Sequence, residues 1–283
     1  MQQWRIGEVT VTKVVETEGP MPVAFLFANP DPAMIESHSS WLKPHFLKSP
    51  QFFLGSIHAL VIESGGRRIV VDTCVGNDKT RPNPAWNRRQ GPFLQDLAAA
   101  GFARESIDLV VCTHLHVDHV GWNTMLVDGR WVATFPKARY LFGRREWEYW
   151  SQQTELADGD IQVDSVRPVI DAGLADLVEA EHRLSDEVWL EPTPGHTPGH
   201  VSVRIRSRGE EAVITGDLMH HPLQCAEPML ASRFDADPDL ARATRRRFLE
   251  RCAGDQSLVL GTHFATPTAG HVVRHGAAWR FAV

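Results

Sequence analysis

Residues 113 to 121 read THLHVDHVG and follow the apolar run DLVV at 108 to 111. Three histidines and an aspartate within six positions, directly after a stretch that reads as a buried strand, place nitrogen and oxygen donors on one short loop. The setting recurs with His196 in TPGHTPGH ahead of VSVRI, Asp217 in ITGD after EAVIT, and His263 in VLGTH after SLVL. In layered α/β folds such strand ends converge at one rim of the sheet, so His114, His116, Asp118, His119, His196, Asp217 and His263 can meet there. Imidazole and carboxylate are the donors that zinc, manganese, iron or cobalt accept in catalytic sites that keep a position open for water. Seven donors are too many for one such ion. They suit two divalent metal ions, zinc first among the candidates, sharing a carboxylate and holding a bridging hydroxide. Unrelated surface residues would not repeat one strand-end setting in every element, and a closed structural zinc site commonly uses thiolates, which this set lacks.

The elements that must carry these donors are readable from periodicity. WRIGEVTVTKVVE alternates well enough for one or two strands broken around Gly7. IHALVIE and RRIVVD flank Gly65-Gly66 and predict a hairpin. FLQDLAAAG spaces Phe93, Leu94, Leu97 and Ala98 for a helix ending at Gly101, and DLVVCT is the strand that follows. KARYLFG reads as a strand, RREWEYWSQ as a helix, and SVRPVIDAG as a further helix interrupted early by Pro168. VWLEP, VSVRIRS, EAVIT and SLVLGTH read as strands, and a last helix runs from Asp237 as N-cap and Pro238 to a stop at Gly254. Its run Arg245, Arg246, Arg247 points three ways at 3.6 residues per turn and is read as a solvated face. Residues 20–56 differ, being rich in proline and scattered aromatics, and are read as a lid or dimer-forming excursion within a single domain spanning 1–283.

Composition excludes several classes. The 283 residues are 43% apolar and carry 29 basic against 35 acidic side chains, so no basic field invites a phosphate backbone and nucleic acid is not expected as a partner. Cys74, Cys112, Cys225 and Cys252 lack CxxC spacing and read as buried thiols. No stretch approaches transmembrane length, MPVAFLFA is too short and too acidic in its flank for a signal peptide, and the expected location is cytoplasmic without membrane contact.

THLHVDH resembles the HxHxDH signature of the metallo-β-lactamase superfamily, and VVDT, the GH loop PGHTPGH, the GD turn and the final histidine follow in that family's order over nearly the whole chain. The resemblance implies an α/β fold, a four-layer αββα sandwich of two mixed sheets with helices on the outer faces. It also implies that His114, His116 and His196 hold one metal, that Asp118, His119 and His263 hold the other, and that Asp217 bridges them. Asp72 resembles the family's structural aspartate, which supports the ligand loop without binding metal; Cys74 stands where many relatives have glycine. His200 is read as a hydrogen-bonding residue behind the ligands, His220 as a substrate contact, and Trp122 as a pocket wall.

A site of this kind is suited to hydrolysis, with Asp118 and Asp217 as the catalytic carboxylates. Asp217 stands where many class B β-lactamases carry cysteine, and His116 stands where flavodiiron relatives carry glutamate, so neither activity is favoured. His220 occupies the position three after the bridging aspartate at which acyl-homoserine lactonases typically have tyrosine. GDLMHH, the excursion and the aromatic-ended tail HVVRHGAAWRF resemble the methyl-parathion-hydrolase-like group of aryl-ester and organophosphate hydrolases. The expected function is a lactone or aryl-ester hydrolase acting on a small-molecule substrate. Phosphotriester hydrolysis, a glyoxalase II-type thioesterase and a non-catalytic metal-binding scaffold are the alternatives. A homodimer built on the excursion is the expected assembly, with a lid as the equal alternative.

Overall fold

The run Ile69-Val70-Val71 is apolar toward both sides, which suits a strand covered on both faces. The computed structural model of the chain, which describes residues 2–28, 30–153 and 159–283, places that run inside a layered core. The first sheet contains β1 (Gln2–Ile6), β2 (Val9–Pro22), β3 (Leu47–Ser49), β4 (Phe52–Ser64), β5 (Arg67–Val71) and β6 (Leu109–Cys112). A separate hairpin, β7 (Thr124–Val127) with β8 (Arg130–Ala133), intervenes before β9 (Arg139–Gly143) and β10 (Ala175–Val178) complete that sheet. Its order is β1-β2-β4-β5-β6-β9-β10, with β3 beside β4. The second sheet is β11 (Val188–Pro192), β12 (Val201–Ser207), β13 (Glu210–Ile214), β14 (Leu258–Leu260), β15 (Ala269–His275) and β16 (Ala278–Ala282), adjacent in that order. Both sheets are mixed: β5, β6, β9 and β10 pair in parallel, as do β13 and β14.

Three buried clusters mark the three interfaces of a four-layer αββα sandwich. Ile62, Ile69, Val71 and Val111 meet Val203, Ile205, Ala212 and Ile214 between the sheets. The alternate residues Val61, Val70 and Val110 face outward onto Phe93 and Leu97 of the helix Phe93–Ala99. Beyond the second sheet, Val213, Val259 and Val272 pack on Phe248, Leu249 and Cys252 of the helix Pro238–Asp255. Gly65 and Gly66 both take positive φ, 57° and 77°, as a two-residue hairpin of type I′ requires. The four cysteines are buried thiols. Among the described residues, no helix is long and apolar enough to cross a membrane.

Several elements depart from the sequence reading. The last helix continues through Gly254 to Asp255 and ends on Gln256, whose φ of 55° supplies the left-handed cap. Arg245 is fully buried, while Arg246 and Arg247 are exposed. The tail is a hairpin, β15 with β16, and the hairpin β7–β8 and strand β10 were not legible in the pattern. Residues 20–56 are no detached excursion: β2 and β4 keep pairing out to Pro22 and Phe52, with three short helices between. Phe27, Ile35, Leu42, Phe46 and Phe53 of this segment are buried in the outer cluster. The chain itself covers these five, whereas Phe52 of the same segment is exposed.

Candidate metal centre

The donors stand on loops that leave the ends of adjacent strands. After β6 the chain enters THLHVDHV, whose second half is the short helix Val117–Val120. Asp72, just past β5, fixes this loop: its carboxylate accepts from Thr113 N at 2.8 Å, Thr113 Oγ1 at 2.9 Å and His119 Nδ1 at 2.9 Å. Gly121 is required where the loop turns back, since a Cβ there would lie 1.9 Å from the Val75 carbonyl oxygen. Asp217 sits in the turn Gly216–Leu218 after β13, and His263 follows β14.

Two groups of donors result, His114, His116, His196 and Asp217 in one and Asp118, His119 and His263 in the other, the donor atoms of each lying within 4.8 Å of one another. Asp217 reaches both. Its Oδ2 is 3.4 Å from His196 Nε2, 3.7 Å from His114 Nε2 and 3.4 Å from His119 Nε2, and its Oδ1 is 3.1 Å from His263 Nε2. Asp118 lies 3.6 Å from both His119 Nε2 and His263 Nε2.

The proton inventory fits cations between these groups. His114 Nδ1 donates to Thr113 Oγ1, His119 Nδ1 to Asp72, His196 Nδ1 to Asp235 and His263 Nδ1 to the Ser56 carbonyl. In its neutral form each of these rings is left with a lone pair on Nε2, the form a bound cation selects. Those lone pairs crowd together: His114 Nε2 and His196 Nε2 lie 3.0 and 2.9 Å from the one Nδ1 of His116, and His263 Nε2 lies 3.3 Å from His119 Nε2. One proton cannot satisfy two acceptors, and Asp217 Oδ1 is buried without a hydrogen-bond partner. Burial holds His114, His116 and His196 well below the usual imidazole range, which keeps them neutral. His119 and His263 go the other way: against the effect of burial, Asp217 and neighbouring carboxylates raise His119 well above that range and His263 to about 9. The carboxylates are drawing positive charge into a place where bound metal would supply it.

The remaining expected residues separate. His200 is buried behind Asp217, its Nε2 accepting from Asp217 N at 2.8 Å and its Nδ1 3.0 Å from the Thr193 carbonyl; burial pushes it down to about 4, the neutral form this geometry needs. His220 lies 3.2 Å from Asp217 Oδ2, and neither of its ring nitrogens has a hydrogen-bond partner among the described residues. It lines a cavity of about 590 Å³ together with His116, Asp118, Asp217 and His263. Trp122 does not line that cavity, a correction to the expected pocket wall: it is buried, stacks on Phe93 at 5.7 Å and donates to Glu16 at 2.8 Å. The walls are instead Met21, Phe25, Leu26, Trp86, Arg89 and Phe234, so the segment 20–56 contributes to the pocket itself.

Three supporting carboxylates escaped the sequence reading. Asp235 accepts from His196 Nδ1 at 3.0 Å and from Ser232 N at 2.9 Å. Glu146, buried, ties the two histidine loops together by accepting from Leu115 N and Gly199 N at 3.2 and 3.0 Å. Glu16 holds the loop after Asp72 through Val75 N and Gly76 N, both at 3.0 Å. Asp235 lies in an irregular stretch and Glu146 and Glu16 lie on elements remote in sequence from the loops they hold, so no local signal marked them.

The chain belongs to the metallo-beta-lactamase superfamily, whose family model matches residues 53–263. Among individual proteins, the chain is 28% identical over 130 residues to the N-acyl homoserine lactonase AttM of Rhizobium radiobacter, a match covering 44% of each chain. It is 23% identical over 168 residues to the N-acyl homoserine lactonase AiiA of Bacillus thuringiensis subsp. kurstaki, covering 59% of this chain and 60% of that one. The chain thus spans about half the length of the curated relatives it matches. Solved structures agree in fold over nearly the whole length. AidC, a dizinc quorum-quenching lactonase in complex with a product, superposes with a TM-score of 0.80 at 18% identity, covering 99% of this chain and 96% of that one. Hydrolase AbOPH superposes with a TM-score of 0.80 at 23% identity and the same coverage.

Proposed function

We propose that this chain is a dinuclear metal-dependent hydrolase that opens lactones or cleaves aryl esters. The observation that carries the reading is the place of Asp217, one carboxylate within reach of both donor groups at the floor of a largely apolar cavity. Family membership and the lactonase relatives support it. His114, His116 and His196 would hold one ion, Asp118, His119 and His263 the other, and Asp217 both. Two divalent ions, zinc by the donor set, would supply Lewis acidity toward a carbonyl oxygen and a water acidic enough to react near neutral pH.

The chain's own residues do the rest. Asp72, Asp235, Thr113 and the Ser56 carbonyl fix the tautomers of the histidines, so that their lone pairs converge without rearrangement. His220, with no internal hydrogen-bond partner and facing the cavity, offers its ring to the substrate's carbonyl oxygen. Asp118 lines the same cavity and is assigned to carry a proton to the leaving oxygen. Met21, Phe25, Leu26, Trp86 and Phe234 exclude water from the apolar part of the substrate.

The test is a panel of γ-lactones, aryl esters, phosphotriesters and thioesters assayed with zinc- and manganese-loaded protein. Turnover is expected on the lactones and aryl esters, and Asp217→Ala should lower it by at least a thousandfold. Protein that takes up no transition metal, or that hydrolyses none of the panel when loaded, would overturn the reading; near wild-type turnover by Asp217→Ala would overturn its dinuclear form.

A further inference from the structure

Arg89 is the one guanidinium among the described residues that line the cavity. Its Nη1 donates to the Ala85 carbonyl at 3.2 Å, and its Nε is buried with no partner. No carboxylate of the described residues lies within ion-pairing distance, whereas buried Arg81 has a bidentate pair with Asp164 at 2.6 and 2.9 Å. Glu16, which lies near enough to feel its charge, has both oxygens committed to Val75 N, Gly76 N and Trp122 Nε1. A guanidinium offers five donors in a planar fork that matches a carboxylate, and this one spends a single donor on the described residues.

The loop that presents Arg89 has its backbone tied down by its own hydrogen bonds. Asn83 accepts from Ala85 N through its side chain and from Trp86 N and Asn87 N through its carbonyl. Asp78 N donates to the Arg89 carbonyl at 3.0 Å and Arg88 N to the Lys79 carbonyl at 2.7 Å, which closes the loop on itself. Its base is anchored by Lys79, fully buried, whose ammonium donates to Thr124 Oγ1 and the Asp164 carbonyl, both at 2.8 Å, and lies 3.9 Å over the Trp131 ring. An underused cation that lines the same cavity as Trp86 and Phe25, carried on a loop whose backbone is already ordered, is a partner for an anion, and the ordered loop removes part of the cost of binding.

We infer that Arg89 is the specificity-determining residue of this cavity: it takes the carboxylate of an ester or lactone whose remaining body is apolar. This deepens the hydrolase reading and rests on it. The preferred substrates are then acidic half-esters or lactones bearing a second acid group, whose hydrolysis yields a dicarboxylic acid and an alcohol, or a hydroxy diacid.

The test compares the metal-loaded full chain on the 4-nitrophenyl half-ester of glutaric acid and on the neutral ester in which the free acid is a primary amide. The wild type should favour the half-ester in kcat/KM by about tenfold to a hundredfold, the range of a charge-assisted bidentate contact. In Arg89→Met that ratio should fall to about one, chiefly through the KM of the half-ester; Arg89→Lys should keep part of it and Arg246→Met all of it. Equal use of both esters by the wild type, or an unchanged ratio in Arg89→Met, overturns the assignment, the second because the acid would then be meeting the metal centre instead. Turnover of neither ester counts against the hydrolase reading alone. Calorimetric binding of glutaric acid monoanilide and its neutral amide then decides for Arg89: tighter binding of the acid by at least tenfold, lost in Arg89→Met, supports it, and equal binding sinks it.

Discussion

A metal-ligating imidazole is only as good as the group on its far nitrogen, and here the four assignable far partners differ. His119 and His196 donate to carboxylates, Asp72 and Asp235, whereas His114 donates to a hydroxyl and His263 to a backbone carbonyl. The carboxylates make their histidines the more basic ligands and hold them most firmly. Replacing Asp235 by alanine should therefore weaken metal binding at the group containing His196 by about tenfold to a hundredfold, measured by competition with a chromophoric chelator. The group containing His119 should be nearly unaffected, so that titration separates into two steps; a single unchanged step would show that Asp235 does not act through His196. The donors were legible because each stands in a loop beside an apolar strand, where residue type and position agree. Asp235 was not, because SRFDADPD offers three aspartates in irregular backbone and only the fold brings one of them to His196. Trp122 misled for a related reason: its place in the ligand loop says where its backbone lies, while the indole turns away to Phe93 and Glu16.

At the level of elements, the strands that meet the site were readable because parallel, doubly covered strands show as short apolar runs, and β12 because it alternates. The helix Pro238–Asp255 was readable at its start, where the Asp237 side chain accepts from Leu240 N at 3.0 Å, but not on its buried face. Ala241, Arg245, Phe248, Leu249 and Cys252 form that face at helical spacing, and of the three arginines that point three ways in sequence it is Arg245 that turns into the core. Its guanidinium donates to the carbonyls of Leu218, Pro228 and Leu230 and lies 3.8 Å from Asp235. It thus clamps the chain immediately after Asp217 to the helix. Arg245→Ala should cost about 3–5 kcal/mol, since it strands buried acceptors and removes the cation beside Asp235, while Arg246→Ala and Arg247→Ala should stay within about 0.5 kcal/mol of wild type. Urea unfolding of the three variants is the measurement, and equal effects would mean that the helix face has been assigned wrongly.

For the molecule as a whole, the two sheets meet where the donors are, so metal binding and folding are one equilibrium. Donors from the loop after β6 in the first sheet and from the loops before β12 and after β13 and β14 in the second come together only when the sandwich is closed. Metal at a hundred times its dissociation constant adds about 2.7 kcal/mol per site, so on the proposed dinuclear reading Tm should rise on the order of 10 °C for a chain of this size. Chelation should remove that increment, and zinc should restore it. The stripped protein also exposes a separate acid sensitivity at His221, which lies apart from the donors and is stacked on Phe53 at 3.8 Å with Nε2 on the Phe46 carbonyl. Burial depresses its pKa to about 3, against roughly 6.5 in an unfolded chain. Between those two values the unfolded state binds the extra proton, so stability is full above pH 6.5 and is lost as pH falls toward 3. Urea midpoints of chelated protein should therefore decline from neutral pH to pH 4.5, and His221→Phe, whatever its midpoint at pH 7, should show a shallower decline. The slope is the readout because the substitution also removes the hydrogen bond to Phe46, which lowers stability at every pH alike; identical slopes would show that another group governs the acid limb.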